Sequence, residues 1–142
     1  MRERGPFVFD PDEAADLRRR RRRETVEIIL GRAPHLPDRD RLLIEAVFGE
    51  GRSVTELSAL IGQPPRTLRR RVSRIVRRMS GDKFLFVVSH KAQWSPTRRR
   101  VAEACVLGGG SLRRAASELK LSLYAVRRHH EAIIAQHEAT TR

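Results

Sequence analysis

The chain repeats itself at a spacing of 58 residues, and this repeat constrains the fold more than any other feature of the sequence. Between positions 41 and 75, eight residues are identical to the residue 58 positions later, including Gly51 with Gly109 and Ser53 with Ser111. Six further pairs between positions 48 and 76 keep their apolar character. Because glycine, capping and core positions recur together, each copy is predicted to fold as a helix, a glycine-containing loop, a short helix, a tight turn and a longer helix.

Local signals place the helices of the first copy. Ser53, with Glu56 three residues later, forms a capping box that predicts a helix start, and Gly62 is typical of a helix C-terminus. A further helix is predicted from Pro65 to about Met79. Its apolar stripe lies at helical spacing and consists of Leu68, Val72, Ile75, Val76 and Met79.

An N-terminal helix is predicted to precede the first copy. Asp10 is expected to cap it and Pro11 to occupy its first position, and it runs through the six arginines Arg18–Arg23. The apolar run 84–88 between the two copies is predicted to be a short buried strand or an extended connector, which periodicity alone does not distinguish.

These elements predict an all-α fold with two tandem helix-turn-helix units joined by a short extended connector. In the second copy, helices are expected to begin at Ser95 and Ser111, and the last is expected over about 123–136. The predicted divisions are an N-terminal Arg-rich helix (1–35), a first helix-turn-helix (36–80), the connector (81–94) and a second helix-turn-helix (95–142).

The first copy carries a series of short motifs: Leu36-Pro37, Gly51-Arg52-Ser53, Glu56-Leu57-Ser58, Ile61-Gly62, Thr67-Leu68 and Arg71-Val72. Their order resembles region four of bacterial sigma factors, the domain that reads the −35 promoter element, and LuxR-type regulators share much of it. The resemblance covers roughly residues 36–79, with a weaker copy at 95–136, and implies DNA binding through the helix 65–79. The chain departs from that family at Ser58, where a small alanine is usual, and at Pro64-Pro65. It also lacks an aromatic-rich segment for promoter melting, so a complete initiation factor is not expected.

The charge of the chain favours a polyanionic partner. Lys and Arg number 30 against 17 Asp and Glu, which gives a formal net charge of +13 and indicates nucleic acid before a membrane surface. Only three of the basic residues are lysine, and such an excess of arginine is also expected from a GC-rich genome. Placement is therefore more informative than number. The run Arg18–Arg23 is interpreted either as solvated surface or as a phosphate clamp beside the first copy.

We predict that duplex DNA is read mainly through the helix 65–79. That helix carries seven arginines and no acid, and its polar face and flanks present Arg66, Thr67, Arg69, Arg70, Ser73, Arg74, Arg77 and Arg78. Arginine can bond guanine O6 and N7 together, so the N-terminal half is expected to meet base edges, and the last arginines are expected to meet phosphates. Candidate contacts in the second copy are Tyr124, Arg127, Arg128, Arg113 and Arg114, although its outer face is nearly neutral.

Several roles remain open for the second copy. It is expected to add phosphate contacts, to form a homodimer or to bind RNA polymerase. Two other functions stand beside that of a regulator. One is a sigma-like adaptor that binds RNA polymerase or another protein through the second copy. The other is a nucleoid- or RNA-binding protein that uses charge without sequence selection.

The sequence gives little support for catalysis or for a cofactor. Cys105 is the single cysteine, and adjacent His129 and His130 point about 100° apart on a helix, so a metal site is not expected. The acid pairs Asp10/Asp12 and Asp38/Asp40 stand at helix starts, where capping accounts for them. We predict that the protein is not an enzyme and has no cofactor or metal, and the sequence identifies no small-molecule ligand.

The location of the protein is predicted from its apolar segments. The longest uninterrupted apolar run, 84–88, is far shorter than the ~20 residues that span a bilayer, and the N-terminus lacks the apolar region of a secretory signal. We therefore expect no membrane partner and a cytoplasmic, nucleoid-associated protein.

Overall fold

The structure, a computed structural model, describes residues 11–142, so the predicted cap Asp10 lies outside the described residues. The all-α fold is confirmed, and no strand occurs between residues 11 and 142. The helices are α1 (Pro11–Arg32), α2 (Asp38–Ile44), α3 (Val54–Ile61), α4 (Pro65–Met79), α5 (Asp82–His90), α6 (Pro96–Ala102), α7 (Leu112–Leu119) and α8 (Leu123–Thr140).

The helix bounds repeat with the same spacing of 58 residues as the sequence. Helices α2 and α6 each continue into a π-helical turn, over Glu45–Gly49 and Glu103–Leu107. A 3-10 turn precedes each of them, over Ala33–His35 and Lys91–Gln93. Helix α1 ends at Arg32 and helix α5 ends at His90, 58 residues later. The repeat therefore begins earlier in the chain than the identities in the sequence indicate. The first copy corresponds to residues 24–79 and the second copy to 82–137.

The prediction of a strand or an extended connector at 84–88 is wrong, because this segment lies within α5. Helix α5 is the counterpart of the last nine residues of α1, and it packs against α8, the second π turn and α4. Phe84, Phe86 and Val87 are all buried, so apolar residues on more than one side of the helix are covered. A helix buried on several sides needs a continuous apolar run, and such a run does not differ in pattern from a buried strand.

A single cluster of buried apolar residues joins the two copies. Equivalent positions fill equivalent places in it: Leu68 and Val126 are fully buried, as are Ile75 and Ile133 on the same two helices. Ile29 is the buried residue through which α1 packs against the rest of the protein. Its counterpart in α5, Val87, is buried as well. The apolar run 84–88 therefore supplies Phe84, Phe86 and Val87 to this core, from a helix and not from a strand.

Helix α1 extends beyond the repeat at its N-terminal end. Residues 11–23 have no counterpart in α5, and all six arginines of Arg18–Arg23 are exposed. Arg32 at the other end of α1 donates a hydrogen bond from Nη1 to the carbonyl of Met79, over 2.7 Å, and so ties α1 to the end of α4. The Arg-rich segment thus projects from a helix whose C-terminal third is fixed in the core.

Candidate nucleic-acid interface

Helix α4 is positioned by the tight turn that follows α3. Ser53 caps α3 by accepting a hydrogen bond from the amide of Glu56 over 3.1 Å, as its sequence predicts. At the other end, Gly62 takes the left-handed conformation with φ of 78°, and the amides of Gly62 and Gln63 both donate to the carbonyl of Ser58. This left-handed C-cap ends α3 and reverses the chain before Pro65 starts α4.

One side of α4 is anchored in the core and the opposite side faces solvent. Leu68, Val72, Ile75 and Met79 are buried, as the stripe predicts. The exposed arginines are Arg66, Arg69, Arg70, Arg74 and Arg77, which we call the arginine face. Together with Ser73 they line a shallow depression of about 350 Å³, and Thr67 is exposed beside it.

No carboxylate among residues 11–142 forms an ion pair with the arginine face. Neighbouring members lie three or four residues apart on one helix, where like charges repel each other. The face therefore presents five cations with free hydrogen-bond donors to the solvent.

The other two arginines of α4 are bound within the protein by Asp40 of α2. Arg78 Nη2 lies 2.8 Å from Asp40 Oδ2, and Arg71 Nη2 lies 3.2 Å from Asp40 Oδ1. The helix is thus partly neutralised by an acid from elsewhere in the sequence. Helix capping does not account for the presence of Asp40. The N-cap position of α2 is occupied by Pro37, and no side chain forms a capping hydrogen bond there.

Arg78 also joins the two copies. Its Nε donates a hydrogen bond to the carbonyl of Leu107, in the second copy, over 2.8 Å. The Arg78 side chain lies against Gly109, which has φ of 64° and whose missing β-carbon leaves room for the guanidinium. The structure therefore does not bring Arg78 together with the arginine face, and its side chain is only partly exposed.

The second copy presents a weaker positive surface. Arg127 and Arg128 on α8 are exposed, and Tyr124 near the start of that helix is 74% exposed. The counterpart of Arg66 is Tyr124 and the counterparts of Arg74 and Arg77 are alanines, so two of the five face positions keep an arginine.

The supporting helix α7 adds two exposed arginines, of which Arg114 is paired with Glu118 over 2.8 Å and Arg113 is not ion-paired within residues 11–142. His129 lies beside Arg98 on α6, and partial burial together with the charges of Arg98 and Arg128 lowers its pKa. The neutral imidazole adds no charge to this surface.

The described part of the chain offers no metal centre. Among residues 11–142, no three His, Cys, Asp or Glu side chains are close enough to hold a metal ion. His129 and His130 face different surroundings, since the first contacts Arg98 and the second lines a cavity between the copies. In the same range, no helix has both the length and the apolar character needed to cross a membrane.

Comparisons with protein-family models, with curated proteins and with solved structures found no match to this chain.

Sequence reasoning missed two features of this region. It did not find the pairing of Asp40 with α4, because residues 31 and 38 positions apart share no local pattern. It also did not find the cavity between the copies. A comparison of the two copies could have pointed to that cavity, because Cys105, His130 and His137 replace apolar residues of the first copy.

Proposed function

We propose that the protein is a DNA-binding transcriptional regulator that places α4 in the major groove of duplex DNA. The observation that carries this proposal is the arginine face: five exposed arginines without an ion pair among the described residues, on a helix whose opposite side is fixed in the core. A rigid cationic helix preceded by a tight turn and a supporting helix fits the helix-turn-helix mode of groove binding.

The repulsion between the arginines of α4 indicates that this helix binds a polyanion and does not simply face water. Each like-charge pair at helical spacing costs about 0.2–0.5 kcal/mol, and the face holds several such pairs. Phosphates remove this repulsion and accept hydrogen bonds from the guanidinium groups. Arg66, Arg69 and Arg70, in the N-terminal half of α4, are the candidates for guanine contacts, and Arg77 near the other end is the candidate for phosphate contacts.

We assign the second copy a supporting role in duplex binding. Arg127, Arg128 and Arg113 are exposed and suited to phosphates, and Arg78 holds the second copy in a fixed position relative to α4. Such a function belongs to a bacterial or phage regulator in the cytoplasm, associated with the nucleoid.

An adaptor that binds RNA polymerase or another protein is the second candidate function. The exposed ring of Tyr124 favours it, because aromatic side chains are enriched in protein interfaces.

The repeat supplies a matched test of the DNA-binding proposal. Arg69 and Arg70 occupy the same positions in α4 as Arg127 and Arg128 in α8, and all four are exposed. Replacing the first pair with alanine is expected to weaken specific duplex binding by about 2–4 kcal/mol, because each good arginine–guanine pair contributes ~1–3 kcal/mol. Replacing the second pair is expected to weaken binding less and similarly for all sequences.

The binding site is to be obtained by selecting random duplex DNA at ~150 mM salt and sequencing the bound fraction. An enriched motif supports a regulator, and flat enrichment indicates a general nucleic-acid-binding protein. Retention of full binding after loss of Arg69 and Arg70, with abolition after loss of Arg127 and Arg128, would overturn the assignment to α4. Pull-down with RNA polymerase in the absence of DNA tests the adaptor.

A further inference from the structure

A cavity of about 560 Å³ lies between the two copies, next to the C-terminal end of α4. Its wall combines residues of α4, α5, the second π turn and α8. The residues that carry its chemistry are Arg77, Lys83, Phe84, Cys105, His130 and His137. The volume falls within the range of about 300–1,000 Å³ that is typical of small-molecule sites.

Three of the polar side chains at this cavity occupy positions that are apolar in the first copy of the repeat. Cys105, His130 and His137 stand 58 positions after Val47, Val72 and Met79. In the first copy, Val72 and Met79 are buried core residues and Val47 packs against the core. All three replacements line the same cavity.

His137 lacks the partners that a buried imidazole needs. Both of its ring nitrogens are buried, and neither has a hydrogen-bond partner among the described residues. The ring of Phe86 meets the imidazole edge-on with the centroids 5.2 Å apart, so that side provides an apolar contact. Methionine, which the first copy has at this position, avoids the cost of an unpaired polar group.

The charged groups at the cavity select an anion. Arg77 and Lys83 supply positive charge, and Asp82 is the acid on the same wall. Arg78 also lines the cavity, but it is paired with Asp40. His130 and Cys105 add no charge, because burial and Lys83 lower the pKa of His130, and burial raises the pKa of Cys105.

We propose that this cavity binds a small organic anion, a carboxylate attached to a compact apolar body. Its carboxylate is recognised by Arg77 and Lys83, and its apolar body packs on the apolar part of the wall that Val106 and Ile134 provide. This site is independent of the nucleic-acid contacts except at Arg77, which lines both the cavity and the depression on the arginine face.

The shared arginine couples the two sites. An anion that engages Arg77 withdraws a cation from the arginine face and weakens duplex binding, and duplex binding weakens anion binding by the same factor. This consequence rests on the proposed function. Binding of the anion itself does not.

The probe is benzoate, with benzyl alcohol as its uncharged analogue, titrated into the DNA-free protein and followed by amide resonances. We expect saturable benzoate shifts at residues 82–84, 105–106 and 130–137, and about tenfold weaker binding of benzyl alcohol, which lacks the charge. Absence of saturable shifts at about 10 mM benzoate overturns the proposal. Shifts spread evenly over the exposed arginines of α1 and α4 mean general ionic attraction and also overturn it.

Variants and a thiol probe localise the site. Lys83→Gln is expected to weaken benzoate about tenfold, whereas Arg66→Gln, which removes an arginine outside the cavity, leaves benzoate affinity unchanged. Cys105 is the only cysteine, so the rate of its alkylation by iodoacetamide reports on this cavity alone, and benzoate is expected to slow it. Equal loss of affinity in both variants, or alkylation that benzoate does not slow, contradicts the assignment.

The duplex is added in a last step, which separates the two proposals. Benzoate is expected to raise the duplex Kd of the wild-type protein and to have a much smaller effect at the same concentration in Lys83→Gln. Benzoate binding without an effect on the duplex removes the coupling alone. A protein that binds benzoate but no DNA leaves the cavity assignment standing and removes the proposed function.

Discussion

Asp40 holds two arginines of α4 at once, and its replacement by alanine is expected to lower the free energy of unfolding by about 2–4 kcal/mol. The Asp40–Arg78 pair is largely buried, with 16% and 21% of the side chains exposed, and its 2.8 Å separation is that of a charge-assisted hydrogen bond worth ~1.5–3 kcal/mol. The Arg71 pair is longer and a third exposed, so solvent screening reduces it to about 0.5–1 kcal/mol.

This destabilisation is measurable by urea unfolding or by the thermal midpoint. For a chain of this size, a change of about 2–4 kcal/mol corresponds to a fall in Tm of about 6–12 °C. Arg78 keeps its hydrogen bond to the Leu107 carbonyl in the variant, which limits the upper end of the range. The far-ultraviolet circular dichroism is expected to stay helical, because Asp40 fills no core position.

Asp38 provides the matched control. It is the same residue type in the first turn of the same helix, and it pairs with Arg41 over 3.3 Å with 90% of its side chain exposed. Its replacement by alanine is expected to cost less than about 1 kcal/mol. Equal destabilisation by the two replacements would refute the reasoning, as would a coupling energy near zero between Asp40→Ala and Arg78→Ala in a double-mutant cycle.

Three further predictions concern pH, salt and one loop. Because His130 has a pKa below its ordinary value in the folded state, the unfolded chain binds the proton more readily. Stability is therefore expected to fall as pH drops through about 6.5 toward 5, with a shallower decline in urea unfolding of His130→Val. Replacing Arg18–Arg23 with glutamine is expected to reduce the slope of log duplex affinity against log salt by about 0.9 for each phosphate that these arginines neutralise, and an unchanged slope would assign the run to solvated surface. Gly109→Ala is expected to cost about 1 kcal/mol more than Gly51→Ala in thermal unfolding. Both glycines have positive φ, but an added β-carbon meets the Arg78 guanidinium at Gly109 and nothing within 4 Å at Gly51, so equal costs would contradict the close packing of Arg78 on Gly109.

The helices of the first copy could be predicted because their signals are local. The cap at Ser53, the left-handed Gly62 and the stripe on α4 each involve residues within a turn or two of one another. The exposed position of Arg66, Arg69, Arg70, Arg74 and Arg77 follows from that stripe by geometry alone. Because the sequence repeats, the same reasoning predicts the helices of the second copy. Helix α8 extends a few residues beyond its predicted end.

The prediction for α5 failed because its pattern is ambiguous without tertiary structure. Five consecutive apolar residues fit a buried strand as well as a helix surrounded by other helices, and phenylalanine and valine favour strands. Packing of Phe84, Phe86 and Val87 against α8, the second π turn and α4 decided the outcome. The 58-residue spacing would have predicted a helix here, because this segment is the counterpart of the C-terminal end of α1.

The amino-acid sequence by itself determined the all-α class, the repeat and the helix that concentrates arginine, since helix periodicity and capping act over a few residues. Only the tertiary structure decided which of those arginines are free. Asp40 removes Arg71 and Arg78 from the exposed set, because a charge pair forms between side chains that the fold brings together from distant positions. The same long-range packing gathered Cys105, His130 and His137 around one cavity, which no local pattern of residues specifies.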